Sequence, residues 1–335
     1  MIQKKWLLAA VVMAGALAIA GCSKKADTGS GHIRIGIVAK SLGNGFFDAV
    51  HKGADEAAPT LGAEVIFTGP TTPTAEGQIE VINALIAQRV DAIAISANDP
   101  DAVVPSLQRA MQRGIKVMSF DSAVAQAGRM AHLAPSSDDL IGATCVQLAA
   151  ELAPNATGKI GVVSATPTST NQNAWLAAMQ KALPQYPGLQ LVGVAYGDDV
   201  SDKSYREAVA LMKQHPDLVV IVSLSSVGIV ASAKAVEDQG LGGTVKVTGL
   251  GLPSELAGYV DKGVVPKFAI WNPIDLGYAT TQIAAHLARG EQPSAAPGIS
   301  IGRMGSVSFD AQGVGAMAKP FIYDITNVHQ FAQIF

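Results

Sequence analysis

The sequence predicts an α/β protein made of two similar lobes, each built around a doubly wound parallel sheet. From Ile33 onward, segments rich in β-branched residues alternate with segments of helical periodicity, which is typical of parallel sheets with right-handed crossovers. The alternation also occurs twice. A first series of strand–helix units ends near residues 131–137, and a second begins at Asp138 with the same spacing.

The predicted strands are short apolar runs, as expected where helices cover both faces of a sheet. Strands are predicted at residues 33–38, 64–68, 92–96, 116–120, 130–133, 159–164, 189–195, 219–223, 245–250 and 267–271. Helices are predicted at residues 47–61, 74–88, 100–113, 138–152, 174–183, 201–214, 228–239, 253–262 and 276–288. The tail is strand-like and too short for a third domain, so we expect it to cross back between the lobes.

The first 21 residues have the pattern of a bacterial lipoprotein signal peptide. Lys4 and Lys5 precede an apolar run that is too short for a stable membrane span, and Ile19-Ala20-Gly21-Cys22 resembles a lipoprotein cleavage box. We therefore expect a mature protein that is lipidated at Cys22 and attached to the membrane by this lipid, with a flexible polar tether over 22–32. A plain secretory signal with release of soluble protein is the alternative.

Composition and motifs argue against several classes of protein. The sequence has 24 Lys and Arg against 27 Asp and Glu, so nothing indicates a nucleic-acid partner. Lipidation of Cys22 would leave Cys145 as the only other cysteine, which excludes an intramolecular disulfide. The six histidines lack metal-ligand spacing, no phosphate-binding loop motif occurs, and residues 249–254 fail the dinucleotide fingerprint. We expect binding without catalysis, and neither a metal nor a cofactor.

The loop after the first strand is the strongest candidate for a binding loop. It presents Lys40, Asn44, Phe46 and Phe47 at the carboxyl edge of the sheet, where open α/β sheets bind ligands. Aromatic rings can cover the C–H faces of a sugar, while amide and charged groups bind its hydroxyls. The alternative is that the two phenylalanines only pack the following helix onto the sheet.

Further polar and aromatic residues follow other strands at the same edge. Asp121 comes directly after an apolar strand, and a carboxylate there is expected to be desolvated and to need hydrogen-bond donors. Asn171 and Gln172 precede Trp175 after the sixth strand. Two adjacent amides and an indole exceed what a helix cap needs, so we favour ligand contact over capping.

Trp271 ends the tenth predicted strand and borders the same proposed cleft. Asp99 and Asn272 also follow strands, but each precedes a proline, which is an ordinary signal for the start of a helix. For these two residues the sequence leaves capping and ligand contact equally open.

Six segments spread over the whole mature chain resemble one known family. They are residues 39–47, 74–83, 169–173, 196–207, 248–255 and 268–278. The family is the type I periplasmic sugar-binding proteins, the ligand-capturing components of ABC importers. The chain is most similar to the rhamnose-binding proteins of its ribose-binding group.

The resemblance implies two lobes joined by a three-segment hinge. We expect an N-terminal lobe of residues 33–134 and 273–299 and a C-terminal lobe of residues 135–272 and 300–335. It also implies a monomer in the periplasm or cell envelope that closes over a monosaccharide and docks on membrane permease subunits.

The resemblance also implies a set of ligand-binding residues. From the first lobe these are Lys40, Phe46, Phe47 and Asp121, and from the second Asn171, Gln172, Trp175, Ser225 and Trp271. In the implied arrangement the carboxylate accepts from sugar hydroxyls, the lysine and the two amides donate, and the rings stack.

A sister group that binds autoinducer-2 is the main alternative. It shares the loop 40–47 and the Asp121 position, but it has an Asp-Gln pair where this chain has Asn171 and Gln172. It also has a Pro-Asp-Ala-Asn-Ala run where this chain reads Leu-Ser-Ser-Val-Gly at 224–228, and Leu224 departs from the rhamnose-binding pattern as well. A sugar-responsive repressor would need an N-terminal helix-turn-helix, where a signal segment stands instead. An enzyme is disfavoured by the missing motifs.

Overall fold

The framework of the protein is a pair of parallel sheets, seen in a computed structural model that describes residues 32–335. The predicted signal peptide, Cys22 and nearly all of the predicted tether lie outside the described residues. The strands are β1 Ile33–Val38, β2 Ala63–Thr68, β3 Ala92–Ile95, β4 Lys116–Phe120, β5 Ala131–Ala134, β6 Gly158–Ser164, β7 Leu189–Tyr196, β8 Leu218–Ser223, β9 Lys246–Gly249, β10 Lys267–Ile270, β11 Ile299–Ser300, β12 Ser306–Val307, β13 Val314–Ala316 and β14 Phe321–Asp324.

Helices connect these strands. They are α1 Gly45–Leu61, α2 Ala75–Ala87, α3 Val104–Gln112, α4 Asp138–Leu152, α5 Thr170–Ala182, α6 Ser201–Gln214, α7 Ser226–Asp238, α8 Pro253–Asp261, α9 Pro273–Ala288 and α10 Val328–Phe331. The predicted alternation of strands and helices is confirmed, and most predicted bounds agree within two residues. Three predicted helix starts are wrong by more than two residues. Helix α3 begins at Val104 and not at residue 100, α5 at Thr170 and not at residue 174, and α9 at Pro273 and not at residue 276.

The first sheet has six strands in the order β13-β5-β4-β3-β1-β2, and the second has four in the order β7-β6-β8-β9. All pairings within both sheets are parallel. Beside the second sheet, β10 and β14 form an antiparallel pair, and a bridge between Leu250 and Ala269 joins β10 to the end of β9. The predicted fold of two similar parallel-sheet lobes is confirmed.

The C-terminal tail does not follow the predicted lobe boundary. We expected residues 300–335 to lie in the second lobe, but β13 pairs in parallel with β5 of the first sheet. The tail lies in the second lobe only from β14 onward, where β14 pairs with β10 and the backbone oxygen of Phe335 accepts from the Ser254 N–H of α8. The chain therefore passes between the lobes near residues 135–137, 271–272 and 317–320. The prediction failed because an edge strand of three residues carries no sequence signal for the sheet it joins.

Helix α9 returns the chain to the first lobe, where it packs very closely against α1. A Cβ atom at Gly53 would lie 1.8 Å from the backbone oxygen of Ile274, and one at Gly277 would lie 1.9 Å from that of Val50. Neither position can hold a side chain unless the helices separate. The two glycines thus fix the contact between α1, which begins with the binding loop, and α9, which follows Trp271.

Candidate functional site

One cavity lies between the lobes, where the strands of both sheets end. It has about 390 Å³ of space outside the protein atoms, part of it open to solvent. The structure brings all nine predicted site residues together on its walls. The lining residues are Lys40, Asn44, Phe46, Phe47, Asp121, Asn171, Gln172, Trp175, Asp199, Leu224, Ser225, Ser226, Leu250, Ile270 and Trp271.

The loop after β1 and the first turn of α1 place four of these residues, Lys40, Asn44, Phe46 and Phe47. Asn44 caps α1 by accepting a hydrogen bond from the backbone N–H of Phe46 at 2.9 Å, so both phenylalanines fall in the first helical turn. The Phe46 and Phe47 rings meet edge to face with centroids 5.2 Å apart, and Phe47 also packs on Phe120. Both rings line the cavity and pack into the core, so the two roles considered from the sequence occur together.

Asp121 is a buried carboxylate at the centre of the cleft. Its backbone has φ 55°, a left-handed conformation that directs the chain sharply away from β4. The hydroxyl of Ser96 donates to Oδ2 at 2.7 Å, and the amide of Asn171 donates to Oδ1 at 2.9 Å. Burial raises the pKa of Asp121, and the nearby Lys40 ammonium opposes that shift. The carboxylate thus has the desolvation expected from its sequence position.

The two amides lie in the first turn of α5. The carbonyl oxygen of Gln172 accepts from the Ser164 hydroxyl at 2.8 Å and from the Ala165 backbone N–H at 2.6 Å. Its Nε2 donates to no described residue, so this donor is available to a ligand in the cavity. Asn171 is oriented in the same way, because its Oδ1 accepts from the Gln172 N–H while its Nδ2 reaches Asp121 in the other lobe. Each amide therefore presents its donor side to the cleft.

Aromatic and aliphatic side chains also line the cavity. The Trp271 ring lies edge to face between Trp175, at a centroid distance of 5.5 Å, and Phe46, at 6.2 Å. Leu224 and Ile270 extend the apolar surface. The indole nitrogen of Trp271 is fully buried without a hydrogen-bond partner among the described residues.

Asp199 lines the cavity but was not among the predicted site residues. It stands in the loop after β7, and its Oδ2 lies 4.0 Å from the Lys40 ammonium of the other lobe. The hydroxyl of Ser225 donates to its Oδ1 at 2.5 Å. A sequence signal was present, because two consecutive acidic residues follow a strand at the same sheet edge as the other candidates.

Two further hydrogen bonds join the lobes around the cleft. The Thr168 hydroxyl donates to the backbone oxygen of Asn98 at 3.1 Å, and the Thr170 hydroxyl donates to that of Ala123 at 3.0 Å. Together with the contacts of Asp121 and Lys40, these bonds fix the lobes on both sides of the cavity. A ligand held here would touch both lobes at once.

Of the two residues left open from the sequence, Asn272 caps α9, whereas Asp99 closes a turn ahead of α3, which begins at Val104. Asp99 accepts from the N–H groups of Asp101 and Ala102, and Asn272 accepts from that of Ile274. Neither residue lines the cavity.

The cleft has the chemistry of a binding site. Among residues 32–335, no group of three or more His, Cys, Asp and Glu side chains is arranged to hold a metal ion. Cys145 is buried in the core, and burial raises its pKa to about 12, so its thiol is not an activated nucleophile. In the same part of the chain, no helix is long and apolar enough to cross a membrane. What remains is a set of donors, acceptors and rings that converge on one small cavity.

These features define a two-lobed protein that binds a small ligand between its lobes. Residues 35–292 match the periplasmic binding protein domain family, and the chain belongs to that family. It is an extracytoplasmic sugar-binding component of an ABC transporter and not an enzyme. The family inferred from the sequence is thereby confirmed.

Individual relatives bind several different sugars. The chain is 29% identical over 259 residues to a D-ribose/D-allose-binding protein of Pseudomonas aeruginosa, covering 74% of this chain and 80% of that protein. An ABC transporter solute-binding protein of Clostridium phytofermentas, solved with bound L-rhamnose, has a TM-score of 0.87 and 33% identity, covering 91% of this chain and 99% of that chain. LsrB of Clostridium saccharobutylicum, solved in complex with AI-2, has a TM-score of 0.84 and 22% identity, covering 89% and 99%, a likeness that shows the fold alone.

Proposed function

We propose that the protein captures L-rhamnose between its lobes and delivers it to the membrane permease subunits of an ABC importer. The observation that carries the proposal is the mixture of polar and apolar groups that line the cavity. Lys40, Asp121 and the two amides offer partners for hydroxyls, while the tryptophans, Leu224 and Ile270 offer apolar surface. A 6-deoxyhexose combines the same two kinds of group, because it carries hydroxyls on most of its ring carbons and a methyl group at one edge.

In this proposal each polar residue has a stated role. Asp121 accepts from sugar hydroxyls, since each of its oxygens has bonding capacity beyond its single protein donor. Lys40 and Gln172 donate, and the rings of Phe46 and Trp271 cover the C–H faces. The protein acts as a monomer attached to the membrane through a lipid on Cys22. The L-rhamnose bound to the Clostridium phytofermentas protein at 33% identity supports the choice of ligand.

A thermal-shift panel of L-rhamnose, L-mannose, D-ribose, D-allose and AI-2 tests the proposal. A ligand at about 100 times its Kd stabilises the protein by about 2.7 kcal/mol, a rise of several degrees. L-mannose is the matched control, because it differs from L-rhamnose only by a hydroxyl in place of hydrogen on the exocyclic carbon. Against an apolar wall that hydroxyl stays unpaired, so L-mannose should bind at least tenfold more weakly.

Two results would contradict the proposal. Equal binding of L-rhamnose and L-mannose would show that the methyl group of L-rhamnose does not contact an apolar surface of the cavity. Stabilisation by AI-2 alone would favour the alternative of autoinducer-2 uptake, for which the first-lobe half of the site, Lys40 and Asp121, would serve equally well.

A further inference from the structure

Asp199 is a second carboxylate in the cleft, on the lobe opposite Asp121. Its side chain is 11% exposed and lines the cavity, and only Val200, the N-cap residue, separates it from α6. A carboxylate loses strong hydration when it is buried to this extent, so its oxygens need hydrogen-bond donors.

The backbone around Asp199 is held in an unusual conformation. Asp198 and Asp199 both have left-handed φ angles, of 56° and 53°. Residues with a Cβ atom adopt this region rarely, and two in succession persist only where the surroundings fix them. Here the backbone N–H of Gly197 bonds to Ser164 and that of Asp198 to Ala165, at the end of β6. The loop thereby places the Asp199 carboxylate at the cavity and keeps it there.

Ser225 has no hydrogen of its own left for a ligand. Its hydroxyl donates its single proton to Oδ1 of Asp199 and accepts from the backbone N–H of Gly228 as the cap of α7. It is fixed from two sides and in turn fixes one oxygen of Asp199. A ligand that reaches this wall meets the carboxylate, not the serine hydroxyl, as its strong hydrogen-bonding group.

The second oxygen of Asp199 has spare capacity. Its nearest cation is the Lys40 ammonium at 4.0 Å, which is beyond hydrogen-bonding distance. The Lys40 side chain is 4% exposed, and its ammonium donates no hydrogen bond to a described residue. A ligand hydroxyl beside these two groups can donate to Asp199 and accept from Lys40 at the same time.

We propose that Asp199 is a specificity-determining acceptor for a hydroxyl of the bound sugar, and that Ser225 is its positioning residue. The inference rests on the proposed function, since it requires a sugar in this cavity. With Asp121 on one lobe, Asp199 on the other and Lys40 between them, the cleft holds two carboxylates and one ammonium. This balance selects neutral sugars that have donor hydroxyls toward both lobes, and it repels sugar acids and sugar phosphates.

Calorimetric titration of the purified protein with L-rhamnose tests the inference through Asp199→Asn. Asparagine keeps the shape and tolerates the left-handed backbone, but it removes the charge of the acceptor. We expect binding about 10- to 100-fold weaker, with little change in the thermal midpoint of the ligand-free protein. The matched control is Asp202→Asn, the same change at an exposed position three residues later, which should stay within about twofold of wild type.

The positioning role of Ser225 is tested by a double-mutant cycle. Ser225→Ala should weaken binding in the wild-type background and have no further effect in the Asp199→Asn background, because it acts through that carboxylate. Equal losses in both backgrounds would overturn the positioning role. Wild-type affinity in Asp199→Asn, with L-rhamnose bound normally by the wild type, would overturn the inference alone. If the wild-type protein binds no sugar of the panel, the proposed function is wrong, and the inference about Asp199 is wrong with it.

Discussion

Replacing Asn171 by aspartate should make sugar binding depend on the uptake of a proton. In the structure, the Asn171 amide donates to Asp121 Oδ1 across the cleft at 2.9 Å. An aspartate would bring a second carboxylate oxygen to that position. At about 3 Å and an effective dielectric constant of about 20, two unit charges repel by on the order of 5 kcal/mol. The pair could then close around a ligand only by sharing one proton.

The direction of the pH dependence follows from that repulsion. In the closed form, the shared carboxyl would have a pKa above that of the open form, so closure would take up a proton. Affinity of Asn171→Asp for L-rhamnose should therefore rise as the pH falls through the raised pKa. We expect at least about 100-fold weaker binding than wild type near pH 7.5, from the lost charged hydrogen bond plus repulsion, and a smaller deficit near pH 5.

Calorimetry at both pH values, in two buffers of different ionisation enthalpy, measures the affinity and the proton uptake. The matched control is Asn173→Asp, the same change two residues later, because the Asn173 side chain donates to Pro167 on the surface and does not line the cavity. The control should bind like wild type. The reasoning is refuted if Asn171→Asp binds like wild type near pH 7.5, or if its deficit is equal at both pH values.

Two further predictions concern stability, measured by urea unfolding. Gly53→Ala should destabilise the protein by about 3 kcal/mol, because the added Cβ would lie 1.8 Å from the backbone oxygen of Ile274. The control Gly258→Ala, whose Cβ would have nothing within 4 Å, should stabilise the protein by up to about 1 kcal/mol. Equal effects of the two substitutions on the free energy of unfolding would contradict the packing argument. Burial lowers the pKa of His132 from 6.5 to about 3. As the pH drops below 6.5, this histidine is protonated in the unfolded chain but not yet in the folded protein, so the stability of the folded protein falls. Between pH 7.5 and pH 5, His132→Asn should reduce the fall in the free energy of unfolding by about 2 kcal/mol. The control His32→Asn, at an exposed position, should leave that fall unchanged. A His132→Asn variant with the pH dependence of the wild type would refute this.

Local sequence patterns were sufficient to predict the elements that build each lobe. The long alternation of apolar strands and amphipathic helices is strong, and caps and glycines mark several ends, such as Asn44 before α1 and Gly62 after it. The start of α5 was missed because threonine and asparagine are also typical of loops. The partner of β13 was missed because the choice of a sheet edge is a tertiary property, which three residues do not encode.

The site was predicted as far as polar and aromatic residues at strand ends could predict it. All nine candidates line the cavity, although their contact with a ligand stays a prediction. Asp199 was missed because residues 196–207 were used only as a segment of family resemblance, and their acidic residues were not weighed as ligand contacts. The aliphatic part of the lining was missed because Leu250 and Ile270 are indistinguishable in sequence from ordinary core residues. The hydrogen bond from the Ser225 hydroxyl to the Asp199 carboxylate could not be predicted either, because it depends on side-chain geometry that the sequence does not specify.

Calorimetric titration of the wild-type protein and of Asp121→Ala with L-rhamnose tests whether the sugar binds in the cleft. The wild type should bind one L-rhamnose per chain. The variant should bind at least about 100-fold more weakly, because it loses the buried acceptor and leaves the Lys40 ammonium with one fewer counter-charge. Equal affinity of both proteins for L-rhamnose would mean that the sugar lies outside the cleft.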